Sequence, residues 1–145
     1  MGILIKKIVL GNEIRNIWRF ITEPKNFPKY IYSYNNGKIT SPNKTGIGAS
    51  YEWYGKLGPF KLKSTEETVE WQERKHVAYT GKLFGIKFNS SMSVKEIKKQ
   101  TQLTVYIRYE VPLYLGGVIT DLLIIRGIIK KYIKKSLDNL KEIYN

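Results

Sequence analysis

Few side chains here could do chemistry. The one histidine, His76, follows Arg74-Lys75, and the expectation there is a solvated strand end rather than a general base or a metal ligand. Glu66, Glu67 and Glu70 cluster in one short segment. A metal site or an acid/base pair needs groups that converge in perturbed surroundings; three carboxylates on a lysine-rich strand are expected to form surface pairs. The absence of cysteine removes disulfides, thiolate nucleophiles and Cys-based metal sites. No triad is found, and no cofactor or metal is expected. Hydroxyls remain: Ser90 and the tyrosines could orient an apolar molecule bearing a hydroxyl or carbonyl group.

Secondary structure has to position those groups. Residues 3–10 carry β-branched Ile3, Ile5, Ile8 and Val9 and stop at Gly11-Asn12, predicting a first strand with Asn12 as the N-cap of a helix after it. From Glu13, Ile14, Ile17, Trp18 and Ile21 keep the i, i+3, i+4, i+7 spacing of an amphipathic helix. Thr22-Glu23-Pro24 ends it. Pro24 then opens a second short helix, which Phe27-Pro28 is expected to close.

After Tyr30 the period becomes two. Turn clusters at Asn35-Asn36-Gly37, Ser41-Pro42-Asn43-Lys44-Thr45-Gly46, Gly58-Pro59, Glu73-Arg74-Lys75 and Lys98-Lys99-Gln100 separate strands near 30–40, 48–57, 60–71, 76–84, 86–97 and 101–111. Phe60 and Leu62 share one parity while Val69 and Trp71 share the other, so a bulge between them is predicted. A proline-free segment over 118–143 predicts a helix of about seven turns. Its buried stripe is expected to be Leu122, Ile125, Ile129, Ile133, Leu137, Leu140 and Ile143, with Arg126, Lys130, Lys131, Lys134, Lys135, Asp138 and Lys141 on its flanks. Gly127 in mid-helix is expected to admit a close neighbour or leave room for a ligand.

This order resembles the START-like (SRPBCC) superfamily, which includes the polyketide cyclase/dehydrase family. The resemblance spans the chain. It is carried most specifically by Trp18-Arg19-Phe20-Ile21-Thr22-Glu23-Pro24-Lys25-Asn26-Phe27-Pro28-Lys29-Tyr30 and by Leu137-Asp138-Asn139-Leu140-Lys141. It implies an α+β helix-grip fold in one domain over 1–145: a seven-stranded curved antiparallel sheet wrapped around a long C-terminal helix, with two short helices after strand 1.

A helix and a curved sheet cannot touch everywhere, so a cavity for a hydrophobic small molecule is expected between them. Its candidate lining is the buried parity of the strands, Tyr51, Trp53, Tyr79, Phe88, Ser90, Met92, Val105, Ile107 and Tyr109, with Leu122, Ile125 and Ile129 from the helix. Any one of them reads as ordinary core; the set points to a pocket. The expected function is carriage or sensing of a hydrophobic or amphipathic molecule such as a lipid, isoprenoid or polyketide. The alternative, by family analogy, is a cyclase or aromatase that encloses an apolar substrate while an acid such as Glu66 or a tyrosine moves a proton.

Charge bears on partners. The balance of 25 Lys+Arg against 12 Asp+Glu gives +13 and a pI near 9.8, which suits anionic partners. Only Arg15, Arg19, Arg74, Arg108 and Arg126 are arginines, whereas base and phosphate recognition favours the guanidinium fork. Abundant Lys, Ile, Tyr and Glu also resembles a thermophile composition. Tyr132 and Tyr144 could stack on bases, but nucleic-acid signatures are absent, so that partner is not expected. The loop Lys56-Leu57-Gly58-Pro59-Phe60 reads first as a hairpin with half-buried apolar residues, and second as a segment that inserts into an anionic membrane surface. The N-terminus does not read as a signal peptide. The most apolar window, 113–129, holds Asp121 and Arg126 and falls short of the ~20 residues of a bilayer span. A cytoplasmic monomer or homodimer is the expectation.

Overall fold

Alternation with period two becomes a single twisted sheet. The computed structural model describes residues 2–57, 60–83 and 85–144. Its strands are β1 (Gly2–Leu10), β2 (Tyr34–Ile39), β3 (Ser50–Leu57), β4 (Phe60–Gln72), β5 (His76–Leu83), β6 (Ile86–Ile97) and β7 (Gln100–Glu110). All neighbours pair antiparallel in the order β1-β7-β6-β5-β4-β3-β2. Only the β1–β7 pairing joins strands distant in sequence; β1 and β2 form opposite edges, so the helical segment between them carries the chain across the sheet.

Two short helices come after β1: α1 (Ile14–Thr22), then a 3-10 turn (Pro24–Asn26) that runs into α2 (Phe27–Tyr30). Ile17, Trp18 and Ile21 are the buried stripe of α1, as the spacing requires. Trp18 meets Trp71 edge-on at 5.2 Å. Two local expectations need correction. Glu13, not Asn12, holds the cap position of α1; the Asn12 carboxamide oxygen instead accepts from Glu13 N–H and Asn16 Nδ2. Phe27-Pro28 starts α2 rather than closing a helix, because a proline in the first turn forfeits no intrahelical hydrogen bond.

The strand expected over 30–40 starts only at Tyr34, after Ser33 turns through φ 67°. Asn35-Asn36-Gly37 lies inside it at a register shift rather than forming a turn. The bulge expected in β4 is present, between Thr68 and Glu70. It lets Leu62, Ser64 and Thr68 be buried before the shift, and sends Trp71 inward after it.

The C-terminal helix runs over 117–144 in three continuous pieces: α3 (Gly117–Thr120), a π turn (Asp121–Ile125) and α4 (Arg126–Tyr144). In α4, Ile133, Leu137 and Leu140 are buried, each contributing roughly 1.5–3 kcal/mol when fully withdrawn from water. Two hydrogen bonds pin this half to α2 and the turn after it, Asn139 Nδ2 to the Tyr30 carbonyl at 3.1 Å and Tyr32 N–H to Ser136 Oγ at 2.9 Å.

The predicted stripe fails at both ends. Ile143 is exposed, and Leu122 is 61% exposed. A π turn holds one residue more than an α turn and so rotates what precedes it by about 100°. The inward position therefore falls on Asp121, which is 2% exposed. Gly127 admits no close neighbour either: a Cβ placed there would meet nothing within 4 Å.

Candidate functional site

Strand parity aims side chains from β3 to β7 at the helix. In register, Phe88 faces Tyr109, Ser90 faces Ile107, Met92 faces Val105, and Tyr79 faces Ser90. Where these side chains fail to reach the helix, a cavity of two lobes remains. The larger, about 410 Å³, has Trp53, Leu62, Phe88, Tyr109, Ile125, Ile128 and Ile129 among its walls. The smaller, about 110 Å³, has Phe27, Tyr30, Tyr79, Met92, Val105 and Ile133. Glu66, Ser90, Ile107 and Tyr132 line both lobes and form the waist between them.

Most residues expected at the pocket converge on it. Trp53, Phe88, Tyr109, Ile125 and Ile129 wall the larger lobe; Tyr79, Met92 and Val105 wall the smaller; Ser90 and Ile107 touch both. Tyr51 does not line it: its ring packs edge-on against Phe27 at 5.6 Å, and its hydroxyl donates to the Lys44 carbonyl. Leu122 is on the outer surface, turned away by the π turn.

Glu66, which the sequence places first in a surface cluster and only in the cyclase alternative as a working acid, shares the inward parity of Leu62 and Ser64 and is half-buried. The Trp53 indole N–H donates to its Oε1 at 3.1 Å. Burial penalises the carboxylate and pushes its pKa up to about 7, against the opposing effect of the Trp53 hydrogen bond. Near neutrality this group can therefore donate or accept a proton. Gly81 lies beside it in register, between Glu66 and Phe88. A Cβ there would come within 2.4 Å of the Thr65 carbonyl and 2.7 Å of the Phe88 ring, so only glycine lets that ring lie flat on the sheet.

A second polar group closes the far wall. Tyr109 donates its hydroxyl proton to Asp121 Oδ1, and Arg126 donates to Oδ2 at 3.1 Å. Burial, and then the Asp121 hydrogen bond, hold the Tyr109 hydroxyl above its ordinary pKa. Sequence reasoning missed this triplet, for its only signal was an acid and a base five positions apart in an apolar helix. Tyr132, weighed as a stacking surface, lines the cavity, and Tyr144 packs edge-on to Phe20 at 5.5 Å.

The remaining candidates stay outside the cavity. His76 sits at its strand end between Ser93 Oγ and Glu70 Oε2, at 2.7 and 2.8 Å. Glu67 and Glu70 face outward. Among the described residues no group of three or more His, Cys, Asp or Glu side chains converges as a metal site would require. In the loop weighed for membrane insertion, Gly58, Pro59 and the side chains of Leu57 and Phe60 lie outside the described part of the chain. Among the described residues no helix is long and apolar enough to cross a membrane.

Comparison with solved structures identifies the architecture. A START superfamily protein from Mycobacterium smegmatis superposes with TM-score 0.76 at 14% identity, covering 97% of each chain. Major latex-like protein 151 from Panax ginseng gives TM-score 0.74 at 16% identity, over 99% of this chain and 97% of that one. The di-domain ARO/CYC protein BexL of the BE-7585A biosynthetic pathway gives 0.78 at 11%, over 98% of this chain and 46% of its own length. At such identities the likeness shows the fold alone, which is the helix-grip fold. No curated protein matches the sequence. Family and fold fit a hydrophobic-ligand-binding or polyketide-cyclase-like protein. The match to the family described as "polyketide cyclase / dehydrase and lipid transport" runs over residues 13–144, and the chain belongs to that family.

Proposed function

We propose that the protein carries or senses a hydrophobic or amphipathic small molecule, of the lipid, isoprenoid or polyketide kind, in the cavity between sheet and helix. One observation carries this reading: a space of about 410 Å³ whose walls are almost wholly apolar, with hydroxyls and one carboxyl at its waist. Such a lining favours burial of an apolar body and leaves few polar groups to orient it. Carriage is preferred to catalysis because, among the described residues lining the cavity, Glu66 is the one carboxyl and no histidine, lysine or arginine stands with it to complete an acid/base pair. The cyclase-like alternative would rest on Glu66 moving a proton. Native mass spectrometry of the purified protein, followed by organic extraction, tests the reading. A co-purifying apolar compound whose retention falls in Trp53→Ala and Tyr109→Ala supports it. A protein that is empty and also leaves a panel of apolar probes unbound overturns it.

Membrane contact is part of the same proposal, on the apolar window 113–129 rather than on the loop 56–60. Leu113 is 92% exposed, and Tyr114, Val118, Ile119, Leu122, Leu123 and Ile124 are exposed beside it. Apolar surface gathered in this way marks an interaction site. It runs directly into Ile125 and Ile128 on the wall of the larger lobe. Lys82 and Lys87, with Glu110, share a groove with Leu113, Tyr114 and Val118, and the chain as a whole carries +13. An anionic bilayer satisfies both features. The protein should float with phosphatidylglycerol vesicles and not with phosphatidylcholine vesicles, and a Leu122→Asp, Leu123→Asp variant should stay behind. Flotation unchanged in that variant overturns the assignment, as does a halving of molecular mass in the variant with no flotation in either form.

A further inference from the structure

The chain has 25 Lys and Arg residues, yet none lines either lobe of the cavity. Among the described lining residues Glu66 is the one carboxyl, and no amine, guanidinium or imidazole accompanies it. Arg126 stands nearby, behind Tyr109, and is already paired with Asp121. A carboxylate half-buried among apolar walls without a cation is costly. In so basic a protein, the vacancy opposite Glu66 is the feature that needs an explanation.

We propose that the cavity takes an apolar molecule bearing a basic nitrogen, held as an ammonium against Glu66, and that it rejects carboxylates and phosphates. This deepens the ligand-binding reading above and rests on it. Trp53 fixes Oε1 from one side, while no described side chain bonds Oε2. The hydroxyls of Ser90 and Tyr132 line the same waist and can accept the remaining N–H protons, since a hydroxyl offers lone pairs as well as a donor. The apolar body then extends into the larger lobe between Phe88 and Ile129. A carboxylate in the same position would face a like charge with no cation to offset it, which is discrimination by repulsion as well as by attraction.

The proposal carries a pH signature. Tyr30 from α2, Tyr34 from β2, Tyr51 from β3, Tyr79 from β5 and Tyr132 from α4 surround Glu66, and burial raises the pKa of each. They stay neutral through the ordinary pH range. Glu66, whose burial places its titration near neutrality, is then the group whose charge changes there.

Isothermal titration with decylamine, decanol and decanoate decides the matter. Decylamine should bind at least about tenfold more tightly than decanoate at about pH 8, and several-fold more weakly at about pH 6 as Glu66 takes up a proton. Decanol should bind with little pH dependence. Glu66→Gln should bring decylamine down to the affinity of decanol and leave decanol unchanged. If that variant fails to fold, the pH series on the unaltered protein carries the same information. Decanol binding without any preference for the amine, or amine binding indifferent to pH and to Glu66→Gln, overturns this inference and leaves the cavity reading intact. Failure of all three probes overturns both.

Discussion

The two halves of the C-terminal helix are both rich in leucine and isoleucine, yet they have opposite fates. In α4, Leu137 is 6% exposed and shares the core with Ile133 and Leu140, where the helix packs on β1 and α2. In the turns before it, Leu123 is 78% exposed and its neighbours are similarly bare. Apolar composition therefore does not decide burial here. Phase does: the π turn of Asp121–Ile125 inserts one residue, rotates the earlier stripe away from the sheet, and puts an acid where a leucine was expected. The buried half is a structural element; the bare half, at the mouth of the cavity, is free for function.

The sharpest way to break this contrast is to truncate one leucine from each half. Leu137→Ala should cost about 2–5 kcal/mol of unfolding free energy, since a well-packed side chain leaves a void. Leu123→Ala should stay within about 0.5 kcal/mol of the parent protein. Urea denaturation of both variants measures this, and similar losses would mean that Leu123 is covered in solution. Next in size comes the residue that the π turn brings inward. Asp121→Ala strands the Arg126 guanidinium and the Tyr109 hydroxyl; with Arg126 partly exposed, the loss should be about 2–3 kcal/mol. Asp121→Asn, which keeps one acceptor for Tyr109, should recover part of it.

The halves meet over Glu66, through Tyr132 and Ile129. Its pKa of about 7 against an ordinary 4.5 means that the folded state holds this proton to higher pH than the unfolded chain. Stability from Glu66 is thus complete below about pH 4.5 and is lost as pH rises through about 7. Glu66→Gln removes the titration. It should stabilise the protein by at most about 3 kcal/mol at alkaline pH, less as water screens the half-buried carboxyl, and leave it unchanged in acid, as read from urea midpoints across that range. Equal effects at both ends would place the carboxyl in water.

Much of this was legible in sequence. Strand alternation located all seven strands, and the Ile17, Trp18, Ile21 stripe located the face of α1, because period and burial are coupled when one face is wet. The Leu62-Ser64-Glu66 parity even contained the inward turn of Glu66; the nearby Glu67 and Glu70 hid it by suggesting a surface cluster. Leu122 and Asp121 were beyond reach. A π turn has no residue signature, and its effect is a phase error that shows only when the helix is docked. Tyr51 was wrongly assigned to the pocket for a similar reason, since parity gives a side chain its face but not whether Phe27 will cover it.

Gly127 offers the smallest and cleanest test of the contrast. It sits just past the π segment, and a Cβ there meets nothing within 4 Å. No described side chain or backbone asks for glycine at that position, so within the protein itself its backbone freedom is a cost to the helix. Gly127→Ala should raise stability by about 1 kcal/mol, visible as a higher urea midpoint. If the gain comes with weaker retention of an apolar ligand, the glycine is a point at which the bare half swings against the buried half to open the cavity. If retention is unchanged, the two halves move as one helix, and entry must occur between helix and strands.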